Sequence, residues 1–158
     1  MLQIILGGAR SGKSRLAEQI EKKKKKTVIY IATAQANDAE MQQRIQHHQQ
    51  QRPTEWQLIE EQLYLAECLE KNDAAEQIIL VDCLTLWMSN LLMDSNPDLQ
   101  MDQCRKLLAI LPQLKSDIII VSNETGLGVV PMGEITRKFV DESGRLHQQL
   151  GQIAEKVV

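Results

Sequence analysis

The sequence predicts an α/β fold, a mostly parallel sheet with helices on both faces. Three observations carry this. Short apolar runs alternate with helical patterns along all 158 residues. Each run is four to seven residues long, the length of a buried strand rather than a helix (roughly 4–8 residues). No internal repeat and no linker interrupts the alternation, so the expected organisation is one domain over residues 1–158.

The elements follow in order. Leu2 to Leu6 is an apolar run that stops at glycines, a first strand. Lys13 to about Glu21 reads as a helix with Leu16, Ala17 and Ile20 on one face. The lysines from Lys22 to Lys26 read as a solvated helix end that suits the negative end of the helix dipole. Thr27 to Thr33 is β-branched and apolar, a second strand. Asn37 or Asp38 can cap a helix running to about Gln50, and Pro53 ends the turn after it.

Trp56 to Ile59 is a short strand, followed by a helix through Leu69. Ile78 to Asp82 is a third buried strand, and Leu84 to Met93 a helix apolar on most sides. Asn96-Pro97-Asp98 is a turn that opens a helix to about Leu111. Asp117 to Ser122 is a further strand, and Asn123 to Pro131 a glycine-containing loop. A long helix covers about Gly133 to Ala154, with Ile135, Phe139, Leu146, Leu150 and Ile153 as its core-facing stripe. Val157 and Val158 read as the start of a final strand that is not completed, which leaves a sheet edge open.

Composition narrows the function. A net charge of −3 argues against nucleic acid as a partner, because such proteins present a basic face. No apolar run approaches the ~20 residues of a membrane span, and no signal-peptide pattern opens the chain. The three cysteines, Cys68, Cys83 and Cys104, are widely spaced and form no CxxC pair, so the expected compartment is a reducing cytoplasm.

Gly7-Gly8-Ala9-Arg10-Ser11-Gly12-Lys13-Ser14 matches GxxxxGK[ST] in full, with a strand before it and a helix after. Glycines let backbone N–H groups face phosphate oxygens. Lys13 is placed to reach the β and γ phosphates, and Ser14 to bind Mg²⁺ through its hydroxyl. Asp82 closes an apolar strand, the position of a metal-supporting acid, although a helix cap near Leu84 would use the same residue type. Glu124 lies just past another strand, at the edge where ligands of open α/β sheets bind, or is a solvated loop carboxylate. In the predicted helix, His48 shares a face with Met41 and Ile45, while His47 points with Gln43 and Arg44. By spacing alone an inward His is more often a packed residue than a nucleophile, although imidazole attack on phosphorus is chemically allowed. Arg52 is either a phosphate fork or a surface ion pair.

Together these stretches resemble one family. They are the P-loop, Tyr30-Ile31-Ala32-Thr33, and Arg44-Ile45-Gln46-His47-His48 with Arg52-Pro53 and Trp56. Val81-Asp82-Cys83-Leu84-Thr85 with Asn90-Leu91-Leu92 and the loop Val121 to Pro131 complete the match. The family is the bifunctional adenosylcobinamide kinase and adenosylcobinamide-phosphate guanylyltransferase of cobalamin synthesis, with a P-loop NTPase-like (RecA-like) fold.

The resemblance implies two reactions. ATP or GTP phosphorylates adenosylcobinamide. GTP then guanylylates a histidine, which maps onto His48, and GMP passes to adenosylcobinamide phosphate. Nucleotide contacts map onto the P-loop, Ala32, Thr33, Ala34, Gln49, Gln50, Gln51, Arg52, Glu60 and Asp82, with Mg²⁺ on Ser14 and Asp82. The family also implies a homotrimer. Two other readings compete: a monofunctional P-loop kinase with a structural His48, and a nucleotide-gated binding protein. Gln49-Gln50-Gln51 departs from the family's charged, glycine-containing stretch, and the C-terminus from its last strand.

Overall fold

The computed structural model describes residues 1–8, 11–22, 26–35, 43, 53–126 and 130–158, with residues 14, 18 and 20–22 described by their backbone alone. The strands are β1 (Leu2–Gly7), β2 (Thr27–Ala32), β3 (Gln57–Glu60), β4 (Gln77–Asp82), β5 (Asp117–Asn123) and β6 (Lys156–Val157). The helices are α1 (Lys13–Lys22), α2 (Leu65–Lys71), α3 (Leu84–Met93), α4 (Leu99–Ile110) and α5 (Glu134–Ile153). The predicted helix up to Gln50 lies outside the described residues except Gln43, which is helical.

The strands form one sheet in the order β3-β2-β4-β5-β1-β6. Every neighbouring pair is parallel. A parallel sheet buries both faces, and alternation within each strand divides the side chains between two cores. Ile79 and Val81 of β4 join Ile4, Ile31, Ile118 and Ile120 on one face, covered by Leu65 and Leu69 of α2, Trp87 and Leu91 of α3, Leu107 of α4 and Leu146 and Leu150 of α5. Ile78 and Leu80 point the other way and pack with Ile5, Tyr30, Ile119 and Val121 against Ala17 of α1. Each fully buried Leu or Ile contributes about 1.5–3 kcal/mol. The buried Trp87 also satisfies its polar atom, donating Nε1–H to the Leu63 carbonyl at 2.8 Å.

Two sequence expectations are corrected. The stripe on the long helix is only partly core-facing: Leu146 and Leu150 are buried, but Ile135 is 66% exposed and Ile153 36%. A 20-residue helix is ~30 Å long, against ~23 Å for a seven-residue strand, so it is longer than any strand it packs on. At the other end, Lys156–Val157 does form a strand, paired with β1 at Gln3 and Ile4. Val158 carries the ladder on, donating to the Ile4 carbonyl at 2.9 Å and accepting from Leu6 N–H at 2.8 Å.

Candidate active site at the carboxyl edge of the sheet

The register fixes what stands together. Glu60, Ala32, Asp82 and Val121 are successive cross-strand partners, so the carboxyl ends of β3, β2, β4 and β5 form a row. Gly7 pairs with Asn123 at the end of β1 and β5. The topology therefore brings Gly7, Ala32, Glu60 and Asp82, far apart in sequence, to one edge.

The described part of the glycine-rich loop is Gly7, Gly8, Ser11 and Gly12. Gly12 has φ of +91°, a conformation side chains rarely adopt. A Cβ on Gly7 would stand 2.8 Å from Ser11 Oγ and 3.3 Å from Lys13 Cγ, so a side chain there would displace Ser11 and crowd Lys13. Lys13 opens α1 and is 9% exposed. Its Nζ donates to the Gly8 carbonyl at 2.6 Å and to Ser11 Oγ at 3.4 Å, folded over its own loop. Burial pushes the Lys13 pKa down, opposed by nearby Cys83 and Asp82. An ammonium with so little solvent gains from an anion brought to it.

Asp82 ends β4, and its Oδ2 accepts the phenol O–H of Tyr30. Trp56 stacks over Tyr30 with ring centroids 6.4 Å apart. Burial raises the Cys83 thiol to about 11, so it stays neutral beside Asp82. Thr33 is fully buried, and its hydroxyl donates to the Cys83 carbonyl at 2.7 Å and accepts Cys83 N–H at 2.9 Å. Asn90 of α3 donates to the carbonyls of Thr33 at 2.8 Å and Gln62 at 3.1 Å. Thr33 thus ties β2 to β4, and its own N–H donates to the Asp82 carbonyl at 3.1 Å.

The donor set suits Mg²⁺. Asp82 offers a hard carboxylate oxygen at the same sheet edge as Gly7, where the glycine-rich sequence begins. Among the described residues no cluster of three His, Cys, Asp or Glu forms a metal cage, and Mg²⁺ at phosphate sites typically keeps water and phosphate oxygens as its other ligands. The side chain of Ser14 and all of Ala9, Arg10, His47, His48, Gln49, Gln50, Gln51 and Arg52 lie outside the described residues.

Sequence reasoning missed the second layer. Tyr30 was read only as a strand residue, yet it holds Asp82. Thr85, Ser122 and His147 form a hydrogen-bonded chain behind the Asn123–Glu124 turn. Nothing in the local pattern around His147 marks it; helix packing alone brings it to β5. A surface groove between α4 and α5, lined by Met101, Cys104, Leu108 and Leu146 among others, includes none of the candidate site residues.

A GxxxxGK[ST] turn between strand and helix, with an acid ending another strand of one parallel sheet, defines a P-loop NTPase-like α/β protein. A solved structure, that of the RadB recombinase, has this fold at 18% identity and a TM-score of 0.50, over 89% of this chain and 70% of that one. The family model described as cobinamide kinase / cobinamide phosphate guanyltransferase matches residues 3–158, and the chain belongs to that family. It is 51% identical to the bifunctional adenosylcobalamin biosynthesis protein CobP of Pseudomonas aeruginosa over 157 residues, covering 99% of this chain and 91% of that protein. It is 35% identical to CobU of Escherichia coli over 170 residues, covering 99% and 93%.

Proposed function

We infer that the chain catalyses both reactions of its family at this one edge. In the first, the hydroxyl oxygen of adenosylcobinamide attacks the γ-phosphorus of ATP or GTP. The bond to the bridging oxygen breaks, the nucleoside diphosphate leaves, and the hydroxyl proton is lost to solvent or a base. In the second, a nitrogen of His48 attacks the α-phosphorus of GTP, a P–N bond forms and pyrophosphate leaves. A phosphate oxygen of adenosylcobinamide phosphate then attacks the same phosphorus, the P–N bond breaks, and adenosylcobinamide-GDP is released.

The observation that carries this reading is the family match over residues 3–158, together with a glycine turn that closes over a buried Lys13. Lys13 and the backbone of residues 7–14 hold the triphosphate. Ala32, Thr33, Ala34, Glu60 and Gln49 to Arg52 would contact the nucleotide, and Asp82 with Ser14 would hold Mg²⁺. When bound, the metal neutralises phosphate charge as it develops. The substrate is a corrinoid small molecule.

The chain works as one domain in the cytoplasm, as a homotrimer. No helix among the described residues is long and apolar enough to cross a membrane. Met132 at 96% exposure, Val130 at 82% and Ile135 give the start of α5 apolar surface for a neighbouring subunit.

The deciding experiment incubates the protein with GTP labelled at the α-phosphate. Acid-labile, alkali-stable label on the protein, discharged by adenosylcobinamide phosphate, is the expected result. Phosphorylation of adenosylcobinamide without any such label would reduce the chain to a kinase.

A further inference from the structure

The turn that follows β5 touches the phosphate loop directly. Glu124 N–H donates to the Gly7 carbonyl at 2.9 Å, so the backbone of residues 123–124 is tied to the last residue of β1, where the loop begins. The Glu124 carboxylate is aimed by its own turn, accepting Gly126 N–H at Oε1 at 2.7 Å. A Cβ on Gly126 would stand 3.2 Å from Val140 Cγ1, so α5 packs close against this turn.

Behind the turn runs a chain of three side chains from three elements. Asn123 N–H donates to Thr85 Oγ1 at 2.6 Å. Thr85 Oγ1 and Ser122 Oγ are 3.2 Å apart, and Ser122 Oγ and His147 Nε2 are 2.8 Å apart. Ser122 is buried at 1% exposure, so its hydroxyl depends on these partners. With Nε2 as acceptor, one polarity satisfies the chain. Thr85 O–H donates to Ser122 Oγ, Ser122 O–H donates to His147 Nε2, and Thr85 keeps a lone pair for Asn123 N–H. Burial holds the His147 pKa down against the nearby Glu124 carboxylate, which favours the neutral ring that this polarity requires.

We propose that His147 is a positioning residue for the transfer reactions: through Ser122 and Thr85 it fixes the Asn123 backbone and thereby the turn whose Glu124 N–H holds the Gly7 carbonyl at the start of the P-loop. This rests on the transferase reading above. His147 touches no reacting atom; it acts by holding the turn that carries Glu124. Anchoring from α3, β5 and α5 at once is what places a loop carboxylate to within fractions of an ångström.

The test compares full-length wild type, His147→Ala and His147→Gln. Glutamine keeps a hydrogen-bonding head at the reach of Nε2. Expected for His147→Ala is a kcat lower by roughly tenfold in both transfers, with the nucleotide KM within about twofold, since misplacing a positioned group costs turnover more than binding. His147→Gln recovers most of the lost kcat. Amide hydrogen exchange at Asn123 quickens in His147→Ala while Ile118 to Ile120 stay protected. An unchanged kcat in His147→Ala, or equal loss in both variants, overturns the proposal. If wild type itself transfers neither group, the transferase reading fails instead. The exchange rate at Asn123 still decides the positioning claim then: unchanged exchange in His147→Ala refutes it.

Discussion

Tyr30 donates its phenol O–H to the Oδ2 of Asp82, across the parallel pair of β2 and β4. Tyr30 is 2% exposed and Trp56 stacks on its ring, so the donor has little freedom to leave. One oxygen of the Asp82 carboxylate, the proposed metal ligand, is thereby held in place. Tyr30→Phe is expected to keep the fold and to raise the Mg²⁺ concentration giving half-maximal activity by roughly tenfold, the low end of what losing such an outer partner costs. Asp82→Asn removes activity or raises the Mg²⁺ requirement further. A magnesium titration of phosphoryl transfer decides it. Activity in excess EDTA, or Mg²⁺ curves for both variants that overlay wild type, would remove Asp82 from the metal site.

Lys13 is the charge that the loop positions, folded onto Gly8 and Ser11 with its pKa lowered by burial. Lys13→Ala is expected to abolish phosphorylation and to weaken guanylylation strongly. Loss of a preorganised charge contact costs about 3 kcal/mol, roughly a hundredfold in rate. Single-turnover rates of both transfers provide the check, and wild-type turnover in the variant would sink the assignment of the phosphate loop.

His48→Ala separates the two reactions. Direct phosphoryl transfer needs positioning and charge but no protein nucleophile, whereas a covalent nucleotidyl intermediate does need one. The variant is expected to lose label from α-labelled GTP and the GMP transfer, and to keep much of the kinase reaction. His47→Ala is expected to affect the label less. A His48→Ala protein that still takes up label would refute the nucleophile.

Asp73 predicts an acid limb of stability. Its carboxylate accepts Lys115 N–H at 2.9 and 3.0 Å and Ser116 N–H at 2.8 Å, which fastens the entry to β5 onto the turn before β4. Burial works against ionisation there, but the backbone N–H groups of Lys115 and Ser116 outweigh it, and the pKa is lowered from 3.8. A lowered folded-state pKa means stability is present above the unfolded value and is lost as pH falls through the folded one. Urea midpoints at pH 6 and at about pH 2–3 test this. Asp73→Asn is expected to be less stable than wild type at pH 6, by a margin that shrinks on acidification. A margin independent of pH would show that the carboxylate's charge is not what holds the turn.

How much was legible beforehand differs between elements. Runs such as Ile78 to Val81 are apolar throughout because both sheet faces are covered, so they stand out in the sequence. The glycine turn was legible because chain neighbours build it: Gly7, Gly12 and Lys13 need no distant partner to fix their spacing. The ends of the long helix are not legible in sequence, because periodicity reports a face, not what lies opposite it. Ile135 continues the stripe of Leu146 and Leu150 but is 66% exposed.

The sequence by itself determined the alternation of strands and helices, the phosphate loop and, through resemblance, the family. Those are local properties, set by periodicity, backbone freedom and contiguous motifs. Only the tertiary structure decided that β5 lies between β1 and β4. That insertion sets Glu124 against Gly7, while the pairing of β2 with β3 and β4 lines up Glu60, Ala32 and Asp82 at the same edge. Strand order and register arise from packing between segments far apart in the chain, and no local pattern encodes them. For the same reason Tyr30 behind Asp82, and His147 behind Ser122, emerge only once the sheet is assembled. Each pair joins residues of different elements, 52 and 25 positions apart, whose meeting depends on the whole core.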